Sequence, residues 1–292
     1  MVMPSMEVAL VNGARAQPAP GLKGECPLCG KPAQAKCGPI VRWHWAHAGR
    51  RHCDPWMENE GPWHRAWKAL FPFEWQEVVA SDNTGEKHIA DVKRPDGTVI
   101  ELQNSPMSIE EMESRETFYG DRMVWIVNAE KFRNQIYIFD SLPDPEAEFV
   151  ADLTFFQPVP SWRQSNIAIR GDGHSLMFFR KSDVFPDGSP TYQVHSGQSL
   201  GDLVVENYVG HHLCLWLKPR EVWKRAKRTV IFDFGHETMW AACHYGVEKF
   251  FCVRRVSKKA LIRSLLDGKE PDISGKRVSV EQYADWMTPA SL

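Results

Sequence analysis

"HIADVKRPDGTVIELQNSP", residues 88–106, decides how the middle of the chain folds. Within RPDGT, Pro95 suits position i+1 of a type I turn, Asp96 suits i+2, and Gly97 suits the left-handed residue that closes a three-residue hairpin. Arg94 then faces Thr98, and counting back along the antiparallel ladder sets Asp91 opposite Glu101. Period-2 alternation places Glu101 and Gln103 on one strand face and Ile100 and Leu102 on the other. Two opposed carboxylates repel and cost stability unless a cation sits between them. Oxygen ligands without thiolates point to Mg²⁺ or Mn²⁺ rather than Zn²⁺. The competing reading is an exposed hairpin with a solvated face.

The flanking sequence extends the hairpin. Ser108 and Glu111 form a capping box, and Ile109, Met112 and Phe118 or Tyr119 give the helix that follows a broken apolar stripe. "MVWIV" then reads as a buried strand, so strand, helix and strand make a βαβ unit with parallel pairing. Upstream, "EGPWHRAWKALFP" is a helix with Pro62 in its first turn and a stop at Pro72. Its spacing puts Glu60, His64 and Lys68 on one face and Trp63, Trp67 and Leu70 on the other. "FEWQEVVA" supplies a preceding strand with Glu77. Arg115 is open to two readings, a phosphate contact or an intrahelical pair with Glu111.

Before that helix lies a segment rich in Cys, His, Gly and Trp and poor in aliphatic residues, which cannot build a core without help. "CPLCG", residues 26–30, is a metal knuckle, because two thiolates three residues apart on a tight turn reach one Zn²⁺. "WHWAHAGRRHCDPW" offers His44, His47, His52 and Cys53, and Cys37 is a further thiol. The favoured set is Cys26, Cys29, His47 and Cys53, with His44 as the substitute. A small aliphatic-poor segment needs such an ion to fold.

Composition sets the outer limits. The 292 residues are 43% hydrophobic, enough for a core. Lys and Arg number 35 against 37 Asp and Glu, so nucleic-acid contact requires a local basic patch. No apolar run approaches the roughly 18 residues of a membrane span, and the N-terminus lacks a signal-peptide core. The expectation is a cytoplasmic protein with no membrane partner. Seven cysteines fit metal binding and buried thiols better than a disulfide framework. The expected organisation is a flexible arm at 1–22, a zinc-binding segment at 23–56, a core at 57–145 and an α+β region at 146–292.

The order helix, strand, strand with Asp, strand with Glu-x-Gln, helix, strand resembles the core of the PD-(D/E)xK nuclease superfamily. With the upstream knuckle, the chain resembles the CoiA-like competence protein family. The matching pieces are "CPLC", "HWAH", "EGPWHRAWK", "HIADV", "IELQNSP" and the "SRETFY" helix, over roughly residues 26–130. The resemblance implies an α/β fold: a restriction-endonuclease-like three-layer core, an N-terminal zinc-ribbon-like segment and a mixed α+β C-terminal region. It implies a metal-dependent nuclease, a phosphodiester hydrolase acting on DNA, in a family linked to DNA uptake and recombination.

Site roles follow from the resemblance together with the residues. Asp91 and Glu101 hold the divalent ion, with a backbone carbonyl near Leu102. Gln103 stands where the superfamily has a lysine, which removes a cation near the attacking water. Glu60 matches the acidic residue of the first helix and reaches the metal through water. His64, Lys68 and His88 are candidates for phosphate contact or water orientation. The alternative is a non-catalytic nucleic-acid-binding protein that keeps the scaffold.

In the second half, "WLKPREVWKRAKRTVIFDFG" concentrates Lys224, Arg225, Lys227 and Arg228 with Trp216 and Trp223 interleaved. Basic charge binds phosphate and aromatic faces stack on unpaired bases, so the stretch is a candidate single-strand contact, with a charged helix before a buried strand as the competing reading. Aromatic and β-branched runs in LMFFRKSDVF and TVIFDFG read as strands, and KKALIRSLLDG reads as a late amphipathic helix. His211 and His212 beside a Leu, Cys, Leu, Trp run read as core or turn histidines.

Overall fold

The computed structural model describes residues 6–49, 53–56, 60–156, 176–246 and 249–269. The chain divides into two units: Met1–Asn128 with Arg225–Val230, and Ala129–Lys224 with Ile231–Leu292. The architecture is mixed α and β, with most residues of regular structure in strands. The expected boundary after residue 145 falls earlier, after Asn128.

The first unit opens with β1 (Ala9–Val11), β2 (Ala14–Ala16), β3 (Lys23–Glu25), β4 (Pro32–Lys36) and β5 (His44–His47), in the sheet order β2-β1-β3-β4-β5. Residues expected to trail as an arm are thus strands. The reason is local: Asn12 and Gly13 both take positive φ, 52° and 80°, as a two-residue type I′ hairpin between Val11 and Ala14 requires. One sheet face packs Met6, Ala9, Cys26, Ala33 and Trp45 into a small core.

There follow α1 (Pro62–Lys68), β6 (Gln76–Ser81), β7 (Lys87–Lys93), β8 (Val99–Gln103), α2 (Ile109–Tyr119) and β9 (Met123–Asn128). The strands lie in the order β9-β8-β7-β6. The hairpin register pairs Val92 with Ile100 and Lys93 with Val99, which carries Asp91 opposite Glu101. The Arg94 amide donates to the Thr98 carbonyl, closing the turn as its sequence directs. β8 and β9 run parallel, Val99 with Met123 through Gln103 with Val127, and both are fully buried. Hence β8, α2 and β9 form the βαβ unit.

The helices depart from their apolar patterns. α1 buries His64 and Lys68 along with Trp67, whereas Leu70, expected on the core face, is 40% exposed. The helix turns His64 and Lys68 inward together with Trp67. Ser108 caps α2 by accepting from the Glu111 amide at 3.1 Å. The buried face of α2 comprises Met112, Arg115 and Glu116. The Glu116 carboxylate accepts from Trp125 Nε1 at 3.1 Å and from the amides of Lys227 and Arg228 at 2.9 and 3.1 Å.

The second unit contains β10 (Ile136–Pro143), β11 (Leu153–Phe155), β12 (Met177–Arg180), β13 (His195–Ser196), α3 (Gly201–Glu206), β14 (Tyr208–Trp216), α4 (Glu221–Arg225), β15 (Thr229–Asp233), β16 (Thr238–Tyr245), β17 (Phe250–Ser257) and α5 (Lys258–Leu266). Arg225 and the first residues of β15 belong to the first unit. β14, β17 and β16 pair antiparallel with β10 beside β14, over a core that includes Leu142, Phe155, Phe178, Leu213 and Tyr245. β12, β15 and α5 fall where the sequence places strands and a late helix. His211 and His212 are buried on β14. Among the described residues no helix is long and apolar enough to cross a membrane.

Glu116→Ala leaves three donors without their acceptor in a dry site and is expected to cost about 3 kcal/mol in urea unfolding. A loss below about 1 kcal/mol contradicts this role for Glu116.

Candidate metal centres

At the N-terminal sheet, Cys26, Cys29, His47 and Cys53 converge with their ligand atoms all within 4.8 Å of one another. The knuckle is shaped by backbone bonds from the Gly30 amide to the Cys26 carbonyl and from the Cys26 amide to the Lys31 carbonyl, with Gly30 at φ 68°. Cys26 Sγ lies 3.6 Å from Cys53 Sγ, and Cys29 Sγ lies 3.4 Å from His47 Nε2. A tetrahedron with Zn–S of about 2.3 Å and Zn–N of about 2.05 Å has edges of about 3.8 and 3.6 Å. The donor set therefore fits zinc in chemistry and in size. Burial pushes the Cys26 and Cys53 thiols up, so a cation must displace their protons to bind.

Alternation along β5 decides between the histidines. Trp45 and His47 face the small core and the thiols, whereas His44 points the other way, its Nδ1 2.8 Å from the Arg42 carbonyl. His44 is thus not the substitute ligand. Cys37 sits outside the cluster at the end of β4, and His52 lies outside the described residues.

The second cluster gathers on α1, β6, β7 and β8. Asp91 Oδ1 is 2.8 Å from His64 Nε2, and Asp91 Oδ2 accepts from the Leu102 amide at 2.8 Å. Glu101 Oε1 accepts weakly from the Asp91 amide at 3.3 Å, and its Oε2 accepts from Arg115 Nη1 at 3.0 Å. Lys68 Nζ donates to Glu60 and, at 2.7 Å, to Glu77. Glu77 in turn accepts from the amides of Glu7 and Val8 at 3.0 Å. These groups surround a cavity of about 30 Å³ lined by Glu60, His64, Asp91, Glu101, Gln103 and Arg115, among others.

Glu77 holds its place at a cost in backbone strain. Its φ of 46° is left-handed near the start of β6, where a non-glycine residue meets steric resistance. The carboxylate reaches both Lys68 and the N-terminal amides from that conformation. Sequence reasoning placed Glu77 on a strand and missed its role, for no periodic or motif signal marks a lone acid in FEWQEVVA.

The cluster carries an excess of acid. Glu60, Glu77, Asp91 and Glu101 face Lys68 and Arg115 as permanent cations. Burial raises the Glu60 carboxyl to about 8 despite the nearby ammonium of Lys68. Burial and the Asp91 charge raise Glu101 to about 8, outweighing its pair with Arg115. Burial opposes the His64 imidazolium, yet Asp91 overrides it and raises His64 to about 9. Burial also opposes the Asp91 carboxylate, but the same partner and Lys68 hold it below its ordinary value.

Three of these side chains form a group that could hold a metal ion. Ligand atoms of Glu60, His64 and Asp91 lie within 4.8 Å of one another. Glu60 Oε2 and His64 Nδ1 are buried with no hydrogen-bond partner, a state that costs free energy until something occupies the cavity. Asp91 and Glu101 share one face of the hairpin, as expected. The tightest ligand group nevertheless joins Asp91 to Glu60 and His64, because Arg115 engages Glu101.

The remaining expected residues are placed as follows. Gln103 lines the cavity, its Nε2 donating to the Ser105 carbonyl at 3.1 Å. Lys68 is fully buried between two carboxylates, so direct phosphate contact, expected of it, does not fit. His88 is also buried, Nδ1 against Asp54 and Nε2 against Glu86, and its ring stacks on Trp56, so it too is removed from phosphate. Arg115 meets both Glu101 and Glu111. Arg225 and Lys227 are exposed, whereas Lys224 and Arg228 are half-buried and paired with Glu221 and Asp121. Trp216 and Trp223 are buried, which withdraws the stacking surface expected among these basic residues. No family model, curated protein or solved structure matches the chain.

Purified protein is expected to carry one zinc by metal analysis, and Cys53→Ser to lose it together with much of its thermal stability. Protein that contains no zinc and tolerates chelation contradicts the ligand set. A second expectation concerns pH. Glu60 and Glu101 sit above their ordinary 4.5 and His64 above 6.5, at about 8 and about 9. Each therefore stabilises the fold fully below its unfolded value and loses that contribution as pH rises through its folded one. In Mg²⁺-free buffer the thermal midpoint should fall from pH 6.5 to 9, less steeply in Glu101→Gln. A flat or rising midpoint contradicts these shifts.

Proposed function

We propose that the first unit is a metal-dependent nuclease of the PD-(D/E)xK type, hydrolysing DNA phosphodiester bonds, with zinc holding the N-terminal sheet. The observation that carries this reading is the meeting of Glu60, His64 and Asp91 in one cavity, with Glu101 opposite Asp91 and buried polar atoms of Glu60, His64 and Arg115 lacking partners. Asp91 and Glu60 are the residues to hold Mg²⁺ or Mn²⁺, and Glu101 stands beside them, held by Arg115. The chemistry expected of a divalent ion there is activation of water and neutralisation of phosphate charge.

The chain's own residues do the positioning. The Leu102 amide and His64 fix both oxygens of Asp91. Arg115 fixes Glu101, and the Ser105 carbonyl fixes the Gln103 amide, which is left to orient water by hydrogen bonding where the superfamily uses a lysine. His64, holding Asp91 through Nε2, presents Nδ1 to the cavity as a donor to a phosphate or leaving-group oxygen. Lys68 and Glu77 act behind Glu60 as positioning residues. A recognition protein without chemistry is the second reading, favoured by Gln103 and by the Arg115 pair that already occupies Glu101.

Labelled single-stranded and duplex DNA incubated with Mg²⁺ or Mn²⁺ tests the proposal. Wild type is expected to cut at least one substrate, with Asp91→Asn and Glu60→Gln slowed at least 10²-fold while DNA binding persists. Binding without cleavage by wild type moves the reading to recognition alone.

A further inference from the structure

The turn between β4 and β5 has no part in either metal centre, yet it is the most exposed apolar feature of the first unit. Residues 38–43, Gly-Pro-Ile-Val-Arg-Trp, are all exposed, with Ile40 at 95%, Val41 at 61% and Trp43 at 47%. Isolated surface apolar residues are ordinary, but an adjacent Ile, Val and Trp at one tip form a contact surface. The tip is also firmly based. β4 and β5 pair from Ala33 with His47 to Lys36 with His44, and His47 belongs to the zinc-fitting cluster, so little conformational freedom remains to lose on binding.

Charge identifies the occupant. Between Glu25 and Asp54 the sequence has no Asp or Glu, while Lys31, Lys36, Arg42, Arg50 and Arg51 all fall there, in a chain whose net charge is −2. Three thiolates around a Zn²⁺ contribute only about one negative charge to this segment. Pairing of Lys23 with Gln34 and of Lys36 with His44 puts Lys23, Gln34, Lys36 and His44 on the sheet face opposite Trp45, with Glu25 on the same face at the end of β3 away from the tip. Lys23 and Lys36 are exposed there, and the face runs directly into the tip. Arg42 is 55% exposed and pairs with Glu7 at 2.9 Å.

We propose that this tip and the outward face of β3, β4 and β5 bind a nucleic-acid strand, with phosphates on Lys23, Lys36 and Arg42 and unpaired bases against Trp43, Ile40 and Val41. An aromatic ring beside cations is the pattern that holds single strands without sequence preference. The inference rests on the nuclease reading for the class of ligand, but on separate residues, and it assigns strand capture to the zinc-fitting sheet rather than to the acidic cavity.

The test uses full-length Asp91→Asn protein, to prevent cutting, and fluorescein-labelled 20-nucleotide single-stranded DNA followed by anisotropy. Ile40→Ser/Val41→Ser/Trp43→Ala is expected to weaken binding about tenfold or more with its zinc content unchanged. Lys23→Ala/Lys36→Ala should reduce the slope of log K against log salt by about 1.4, the share of two phosphates on a single strand. If the parent binds DNA and neither variant differs from it, the proposal fails while the nuclease reading stands. If neither wild type nor Asp91→Asn binds any DNA, both fail. Unchanged DNA affinity with loss of self-association in sedimentation likewise overturns it, marking the tip as a contact between copies of the chain.

Discussion

The first unit depends on a cost: Asp91 and Glu101 face each other across a buried hairpin, with Glu60 and Glu77 close behind. Carboxylates withdrawn from water are destabilised unless cations or hydrogen-bond donors replace the solvent. Nearly every unusual feature nearby supplies one or the other. Lys68 is buried at the end of α1 to lie between Glu60 and Glu77, Arg115 turns inward from α2 to meet Glu101, and His64 meets Asp91. Glu77 accepts a left-handed φ to bring the Glu7 and Val8 amides into the same network. Even so, Glu60 Oε2, His64 Nδ1 and Arg115 Nε remain buried without partners. A buried polar network left incomplete has room for one more member, the place a cation would take.

The two candidate metal sites differ in what the protein asks of them. The Cys and His cluster closes a sheet whose apolar core is small, so an ion held there would support folding, and four protein ligands would leave no open position. The acidic cavity sits among strands that are buried without it, and its ligands are oxygen and imidazole, suited to an ion that retains water. On the proposed reading, structural and chemical roles are separated along the chain. The exposed tip between β4 and β5 belongs to the structural half, which places a basic, aromatic surface on a rigid base.

Much of this was legible where a single local constraint governs. Pro95, Asp96 and Gly97 fix the turn, the turn fixes the register, and the register puts Asp91 against Glu101. Cys26, Cys29, His47 and Cys53 could be picked out because spacing and zinc's preference for four ligands leave few choices. Ser108 announced its helix. Where tertiary contacts decide, the sequence misled. The spacing in α1 puts His64 and Lys68 on the face opposite Trp67 and Leu70, but charge pairing buries both of them along with Trp67 and leaves Leu70 exposed. Lys68 and His88 resemble phosphate ligands by residue type and are buried by their carboxylate partners. Trp216 and Trp223, expected to stack on bases, are core residues. The Asn12-Gly13 dipeptide carried a hairpin signal that the proline-rich context of residues 1–22 obscured.

The central claim is that the acidic cavity is a divalent-cation site built on Asp91 and Glu60. The most direct measurement is anomalous scattering from crystals of the protein grown with Mn²⁺. The account predicts one strong peak in the cavity, within about 2.0–2.6 Å of an Asp91 carboxylate oxygen and close to Glu60. A cavity without a peak at saturating Mn²⁺, or manganese bound elsewhere with the His64 and Asp91 pair undisturbed, would contradict it.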